Sequence, residues 1–398
     1  MFDYIKIEGF RSFKKVELEM PRLAVLIGPN GGGKSNFIDL LMLMAEAGSA
    51  QLTNGILNRS GFPSVAFGFD PLQEIRIELL FKGILHGGKA ATEGGDEKLD
   101  VRFKMAARNF GNAAQLMEEL VRQESTVDPT LSADMVTRGI AGAVFRSEGE
   151  SGVLTDQRVS VSPTDLVITQ VKDASKYPAA AAVLNELAGW TSYRDIDVGP
   201  RSSVRQPAVI RPDIKLLDDG SNLSSVLHSL QQGHPELWGE ILEDLHTAYP
   251  DFVKLTVPAG GGDGKVHLRW YERPYEKQGL SANLLSDGTL KLLCLIAILK
   301  NPDPPLLICI DEPELGLHPD WIKLVAELLQ DMAMRTQVIV ATHSPYIVAK
   351  LEPEQVIVTE KTDGETHLTQ LKTPDLENWL KDFSLADLWL SGEIGGRP

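Results

Sequence analysis

The stretch GPNGGGKS, Gly28 to Ser35, constrains the fold of this chain more than any other. It fits G-x-x-x-x-G-K-[ST] in full, between the apolar run LAVLIG and the helix-like run KSNFIDLLMLMAEA. A run apolar at every position is what a strand buried on both faces requires, as in a parallel sheet. Strand, glycine loop and helix in that order make a phosphate cradle. Glycines such as Gly31 and Gly33 let backbone N–H groups converge on phosphate oxygens, and the helix start adds its positive dipole end. Lys34 is expected to reach the β- and γ-phosphates, and the Ser35 hydroxyl to hold Mg²⁺.

The C-terminal third carries the complement. LLICIDEPE reads as a buried strand ending in Asp311 and Glu312. Two adjacent carboxylates at a strand end are costly unless a cation is near. Asp311 is therefore expected to hold Mg²⁺ and Glu312 to orient or deprotonate the attacking water. QVIVATHS is a second buried strand, and His343 at its exit is placed to contact the γ-phosphate or the water. LLSDGTLKLL, 25 residues before Asp311, puts Ser286, Asp287, Gly288 and Thr289 at a helix start, a second anion cradle. One nucleotide does not need two cradles in one site. A head-to-tail homodimer resolves this, with the Ser286 cradle of one copy closing on the γ-phosphate held by the other's Lys34 loop. Kinases and GTPases need no second cradle, so ATP with Mg²⁺ is the expected pair.

The whole reads as an α/β P-loop NTPase head with a β-rich antiparallel subdomain and a helical lobe. Five segments are expected. Residues 1–51 hold the first half of the head and 52–171 a β-rich subdomain with a flexible insertion. Residues 172–280 form a helical lobe, 281–372 the second half of the head, and 373–398 a helical tail. In EIRIELLF, Ile75, Ile77, Leu79 and Phe81 share one face, and DVRFKMAA alternates likewise. AAQLMEELVRQ reads as a helix within the insertion, and residues 107–160 are expected to vary most in conformation. HGGKAATEGGDEK is a polar loop. NLSSVLHSLQQ and PELWGEILEDLHTAY are the clearest helices of the lobe, and KVHLRWYE returns to alternation. The two cysteines, Cys294 and Cys309, lie inside apolar runs and are expected to be reduced core thiols. No signal-peptide pattern and no membrane-span run is visible, so a soluble, cytoplasmic chain without a membrane partner is expected.

The set of motifs resembles ABC-type ATPases, and within them the SMC/RecF/OLD-like branch. IKIEGFRSFKKVELEM is similar to that branch's opening strands, LLSDGT to the ABC signature, DEPELGLHP to the Walker B and D-loop, and ATHSP to the switch histidine. DDGSNLSSVLHSL and DLWLSGEIGG also look like stand-alone bacterial ATPases, some relatives of which serve in anti-phage defence beside a separate nuclease or toxin. The resemblance implies nucleotide contacts for Arg11, in FRSF, and for Asn30, Ser35 and Asn36 in and after the loop. It places Glu314, Leu315, Gly316 and His318 at a dimer interface. It also offers Gln170, in LVITQVK, as the Q-loop glutamine beside Mg²⁺, with an ordinary polar strand residue as the other reading. No long coiled coil interrupts the chain, and no TOPRIM-like acidic cluster follows residue 350.

Three functions follow. The first is an ATP-hydrolysing dimeric switch that controls a partner effector, such as a nuclease or toxin. The second is a DNA-binding repair or recombination ATPase, with contacts at Lys14, Lys15 and Arg22 or at Arg194, Arg201, Arg205 and Arg211. The formal net charge of -16 and the neighbouring Asp195, Asp197 and Asp213 favour plain surface charge there instead. The third is an ATP-bound scaffold that turns over slowly. A transporter motor is weaker still, because nothing suggests a membrane partner.

Overall fold

The computed structural model describes residues 1–85, 98–125, 132–139, 142–148, 154–212, 214–260, 262 and 264–395. The polar loop after residue 85 lies outside them, as does part of the 107–160 stretch. The described chain forms two compact units, Met1–Thr191 with Pro353–Asp375, and Ser192–Glu352 with Leu376–Ile394.

The first unit is built on an eight-stranded sheet. From one edge its strands are Phe13–Glu19, Phe2–Phe10, Ile75–Leu85, Lys98–Phe110, Ala113–Glu124, Ala133–Gly139, Gly142–Glu148 and Leu154–Val159. Every neighbouring pair is antiparallel. Alternation sets its faces: Ile5, Ile7, Leu79, Phe81, Val101, Phe103 and Val121 are all buried. The opposite face carries ion pairs such as Arg102–Glu78 and Lys104–Glu78. Helix Pro178–Ala188 packs against this sheet. Helix Lys34–Gly48 crosses it closely enough that a Cβ on Gly48 would meet Leu187 Cβ at 2.7 Å. The unit also holds the fully buried strand Leu23–Ile27, parallel to Val356–Thr362, which pairs antiparallel with Glu365–Gln370.

The expected helix at AAQLMEELVRQ is the strand Ala113–Glu124. Its Ala, Leu, Met and Glu residues favour helices locally, but the pairing with Lys98–Phe110 decides the outcome. A register shift at Ala106/Ala107 breaks the period, so the buried positions are Ala114, Leu116, Glu119 and Val121. An acid at a buried position hid the alternation.

In the second unit Leu307–Asp311 runs parallel to Gln337–Ala341. Helix Asp287–Leu299 is buried at every residue from Thr289 to Leu299. Helix Pro319–Ala333 buries Leu324, Val325, Leu328, Leu329 and Met332, the stripe its 3.6-residue period predicts. Helices Leu223–Gly233 and Pro235–Ala248 stand where expected. Between Tyr193 and Leu223 the lobe is mainly irregular rather than helical, tied internally by bonds such as Tyr193 Oη to Leu216 O (2.9 Å). Val266, Leu268 and Trp270 are all buried, as their alternation implies. Among the described residues no helix is long and apolar enough to cross a membrane.

Candidate functional site

The phosphate loop begins where strand Leu23–Ile27 ends. Gly28 has φ 140° and Gly33 φ 111°, values that L side chains rarely adopt. Neither position has room for a Cβ: at Gly28 it would sit 2.1 Å from Thr359 O, and at Gly33 2.6 Å from Thr366 Oγ1. The hairpin Val356–Gln370 therefore forms the floor of the loop. Thr359 Oγ1 donates to Ile27 O (2.9 Å), and the Thr366 hydroxyl lies 2.8 Å from Ser12 Oγ and 3.0 Å from Gly32 O. Asn36 Nδ2 donates to the same Ser12 hydroxyl (2.8 Å), so Asn36 braces the loop from within. Thr359, Thr366 and Ser12 carry no motif, and reasoning from sequence missed them.

The loop fits a bound nucleotide. Helix Lys34–Gly48 has no side-chain cap and no acid in its first turn, so its positive dipole end favours an anion. The buried Lys34 ammonium donates to Gly28 O (2.8 Å) and Pro29 O (3.2 Å), carbonyls that a phosphate would displace. Asn30, Gly31 and Ser35 are exposed beside it. Arg11, in the left-handed region at φ 47°, pairs with Asp39 at 2.6 Å, and Arg59 Nε holds the other Asp39 oxygen at 2.9 Å. Gln170 lies on a separate turn, Val167–Gln170, rather than in a strand. Beneath it the buried Glu119 carboxylate accepts the Val167 and Ile168 N–H groups.

The second unit gathers the other motifs. Asp311 closes its strand opposite Ala341, and Glu312 follows with φ 49° and its N–H on Ala341 O (2.8 Å). A glutamate in the left-handed region is strained backbone of the kind found at functional sites. Glu314 turns inward rather than outward. It accepts from Thr342 Oγ1 (2.7 Å) and from the His343 N–H (2.6 Å), and burial raises its pKa. It fixes the turn that carries His343. Leu315, Gly316 and His318 are exposed, and His318 caps helix Pro319–Ala333. Ser286 caps helix Asp287–Leu299, with Thr289 N–H at 3.1 Å and Thr289 Oγ1 at 2.8 Å from its oxygen. Thr289 itself is buried. A Cβ on Gly288 would meet Gly316 O at 2.8 Å, so the SDGT turn rests directly on the DEPELG loop.

One arginine placed among surface charge by the sequence is not on the surface, and another is half-buried beside a carboxylate. Arg205 is buried and bonded to the carbonyls around Ser286, and Arg194 Nε lies 3.9 Å from Asp311 Oδ2. Arg205 is therefore not presented to nucleic acid. Lys14 and Lys15 are exposed, but they face Glu365 and Glu17.

Two family models match the chain. One, described as "AAA ATPase domain", covers residues 1–127; the other, "AAA domain, putative AbiEii toxin, Type IV TA system", covers residues 181–349. Over 81 residues the chain is 32% identical to the "Retron Vc95 probable ATPase" of Vibrio cholerae serotype O1 biovar El Tor, a match covering 20% of this chain and 16% of the relative. Over 48 residues it is 40% identical to the chromosome partition protein Smc of Methanocaldococcus jannaschii, covering 12% of this chain and 4% of that one. These matches span only a small part of either relative. The fold resembles a solved Smc head bound to the C-winged helix domain of ScpA, with TM-score 0.58 and 15% identity over 96% of this chain and 99% of that one. It also resembles an Smc head with an extended coiled coil from Pyrococcus furiosus, bound to the C-terminal domain of ScpA (TM-score 0.53, 13% identity, 96% and 98% covered).

Proposed function

We propose that this SMC/RecF/OLD-like ATPase of the AAA type is a nucleotide-driven switch, in which ATP joins two copies of the chain and hydrolysis releases them. One observation carries the reading. The helix at Lys34 starts behind Gly33 with no side-chain cap, and the helix after Ser286 carries Gly288 in its first turn, pressed against Gly316. The first binds the triphosphate of its own copy, and the second is offered to the nucleotide of the other. Only contacts that exist with the γ-phosphate and not without it can bias closed against open.

Arg11, Asn30, Gly31, Gly33, Lys34, Ser35 and Asn36 form or brace the ATP site. Ser35 and Asp311, with Gln170, are the candidate holders of Mg²⁺, which neutralises phosphate charge when bound. Glu312 orients the attacking water and takes its proton. The Glu314 carboxylate steadies the main chain at His343 so that the imidazole contacts the γ-phosphate side. Ser286, Asp287 and Gly288 complete the site from the partner copy, and exposed Leu315 and His318 line the seam. Preorganised donors of this kind contribute about 3–4 kcal/mol each to transition-state stabilisation.

The output is control of a separate effector protein. The retron ATPase and the AbiEii-type domain among the similar proteins favour a nuclease or toxin in anti-phage defence. A DNA-repair role is less favoured, because burial of Arg205 removes one of its contacts. The test is phosphate release from ATP by the purified chain. It should require Mg²⁺ and vanish in Lys34→Ala. No nucleotide binding by the wild-type chain, or equal turnover in the variant, would overturn the proposal.

A further inference from the structure

We infer that Arg205 is the positioning residue of the Ser286–Gly288 turn, and that segment 194–205 ties this turn to the Asp311 strand end. Arg205 is 6% exposed, and almost all of its donors are used on one loop and its support. Nε donates to Val198 O and Gly199 O, both at 2.9 Å, and Nη1 to Ala282 O (3.0 Å) and Leu285 O (2.8 Å). Nη2 holds the Asp287 carboxylate, whose side chain is otherwise mostly exposed. The guanidinium thus grips the turn on both sides of Ser286.

The bond to Leu285 O sets a direction. The peptide between Leu285 and Ser286 is planar and trans, so holding its C=O toward Arg205 aims the Ser286 N–H the opposite way. That orientation presents the turn outward. Arg205 is itself held rigid. Ser202 Oγ accepts the Val204 N–H at 3.2 Å, and Val204 is locked so tightly against Gly220 that a Cβ there would sit 2.6 Å away. At the other end of the segment Arg194 approaches Asp311 at 3.9 Å, and the adjoining Asp195 has φ 35°. Neither arginine belongs to a motif, yet one short segment touches two of the chemistry-bearing loops of its unit.

The inference rests on the two-copy closure proposed above, and mixing experiments separate the two. Arg205→Ala should bind ATP within about twofold of wild type, since its Lys34 loop is untouched, and should lose about 10- to 100-fold in phosphate release. Lys34→Ala should be inactive alone, with its Ser286 turn intact. Mixed one to one, the two variants form hybrids in which one site is whole, so about a quarter of wild-type turnover should return. Ser286→Arg mixed with Lys34→Ala is the control for closure. Activity returning in the control but not with Arg205→Ala would overturn the role of Arg205 and leave the closure standing. No return in the control would overturn the closure, and the inference with it. If Arg205→Ala fails to fold, Arg205→Lys, which keeps the charge but not the fork, takes its place in the mixture with the same expected outcomes.

Discussion

Glu119 sits 1% exposed under the turn that carries Gln170, and burial pushes its pKa from 4.5 up to about 7. The N–H bonds from Val167 and Ile168 and the nearby Arg138 pull it down, but less strongly; Asp165 is the other charge facing Arg138. The folded carboxyl therefore holds its proton more tightly than the unfolded one. Its contribution to stability is most favourable below about pH 4.5, falls as the pH rises toward 7, and stays low above it. The gap between 4.5 and about 7 converts to about 3 kcal/mol. Glu119→Gln is neutral at every pH and removes that slope. Its amide nitrogen cannot accept, so one of the two N–H groups loses its partner, at a cost of about 1–3 kcal/mol. The variant should be clearly less stable than wild type at pH 5, and the difference should shrink by about 2 kcal/mol by pH 8. Urea unfolding of both proteins at several pH values measures this, and taking the difference cancels every other titrating group. A difference that stays constant between pH 5 and pH 8 would refute the buried-carboxyl argument.

Other predictions test the loop and the core. Gly33→Ala places a Cβ 2.6 Å from Thr366 Oγ1 at φ 111°, which should cost about 1–3 kcal/mol of local strain and abolish ATP binding. Calorimetric titration with ATP would show it, and wild-type affinity would count against the tight floor. Cys294, its thiol pushed up to about 12 by burial, and Cys309, raised further, should not react with a thiol reagent until the chain unfolds. Modification in native buffer would contradict the packing of the Asp287–Leu299 and Leu307–Asp311 elements.

How much was legible in the sequence depended on whether the information was local. The Lys34 loop, the Asp311–Glu312 strand end and the Ser286 helix start each put strand, turn and helix signals within a dozen residues, so pattern alone placed them. Ala113–Glu124 was not legible, because its helix-forming residues are overruled by a partner strand and an inward Glu119. Arg205 was hidden for a different reason. The acceptors it holds before Ser286 are main-chain carbonyls 77 to 80 residues away, and a carbonyl carries no residue identity. Thr359 and Thr366 are small hydroxyls more than 330 residues from the loop they support. Gly28 and Gly33 announced only that something approaches them closely.

The most direct test of the switch is the mass of Glu312→Gln in solution, with and without ATP and Mg²⁺. This substitution keeps the shape of the strained Glu312 position and removes the carboxylate proposed to act as base. ATP should then be bound but not cleaved, and the mass should double on its addition and return to that of a single chain when nucleotide is removed. A mass that is the same with and without bound ATP would contradict nucleotide-driven joining of two copies.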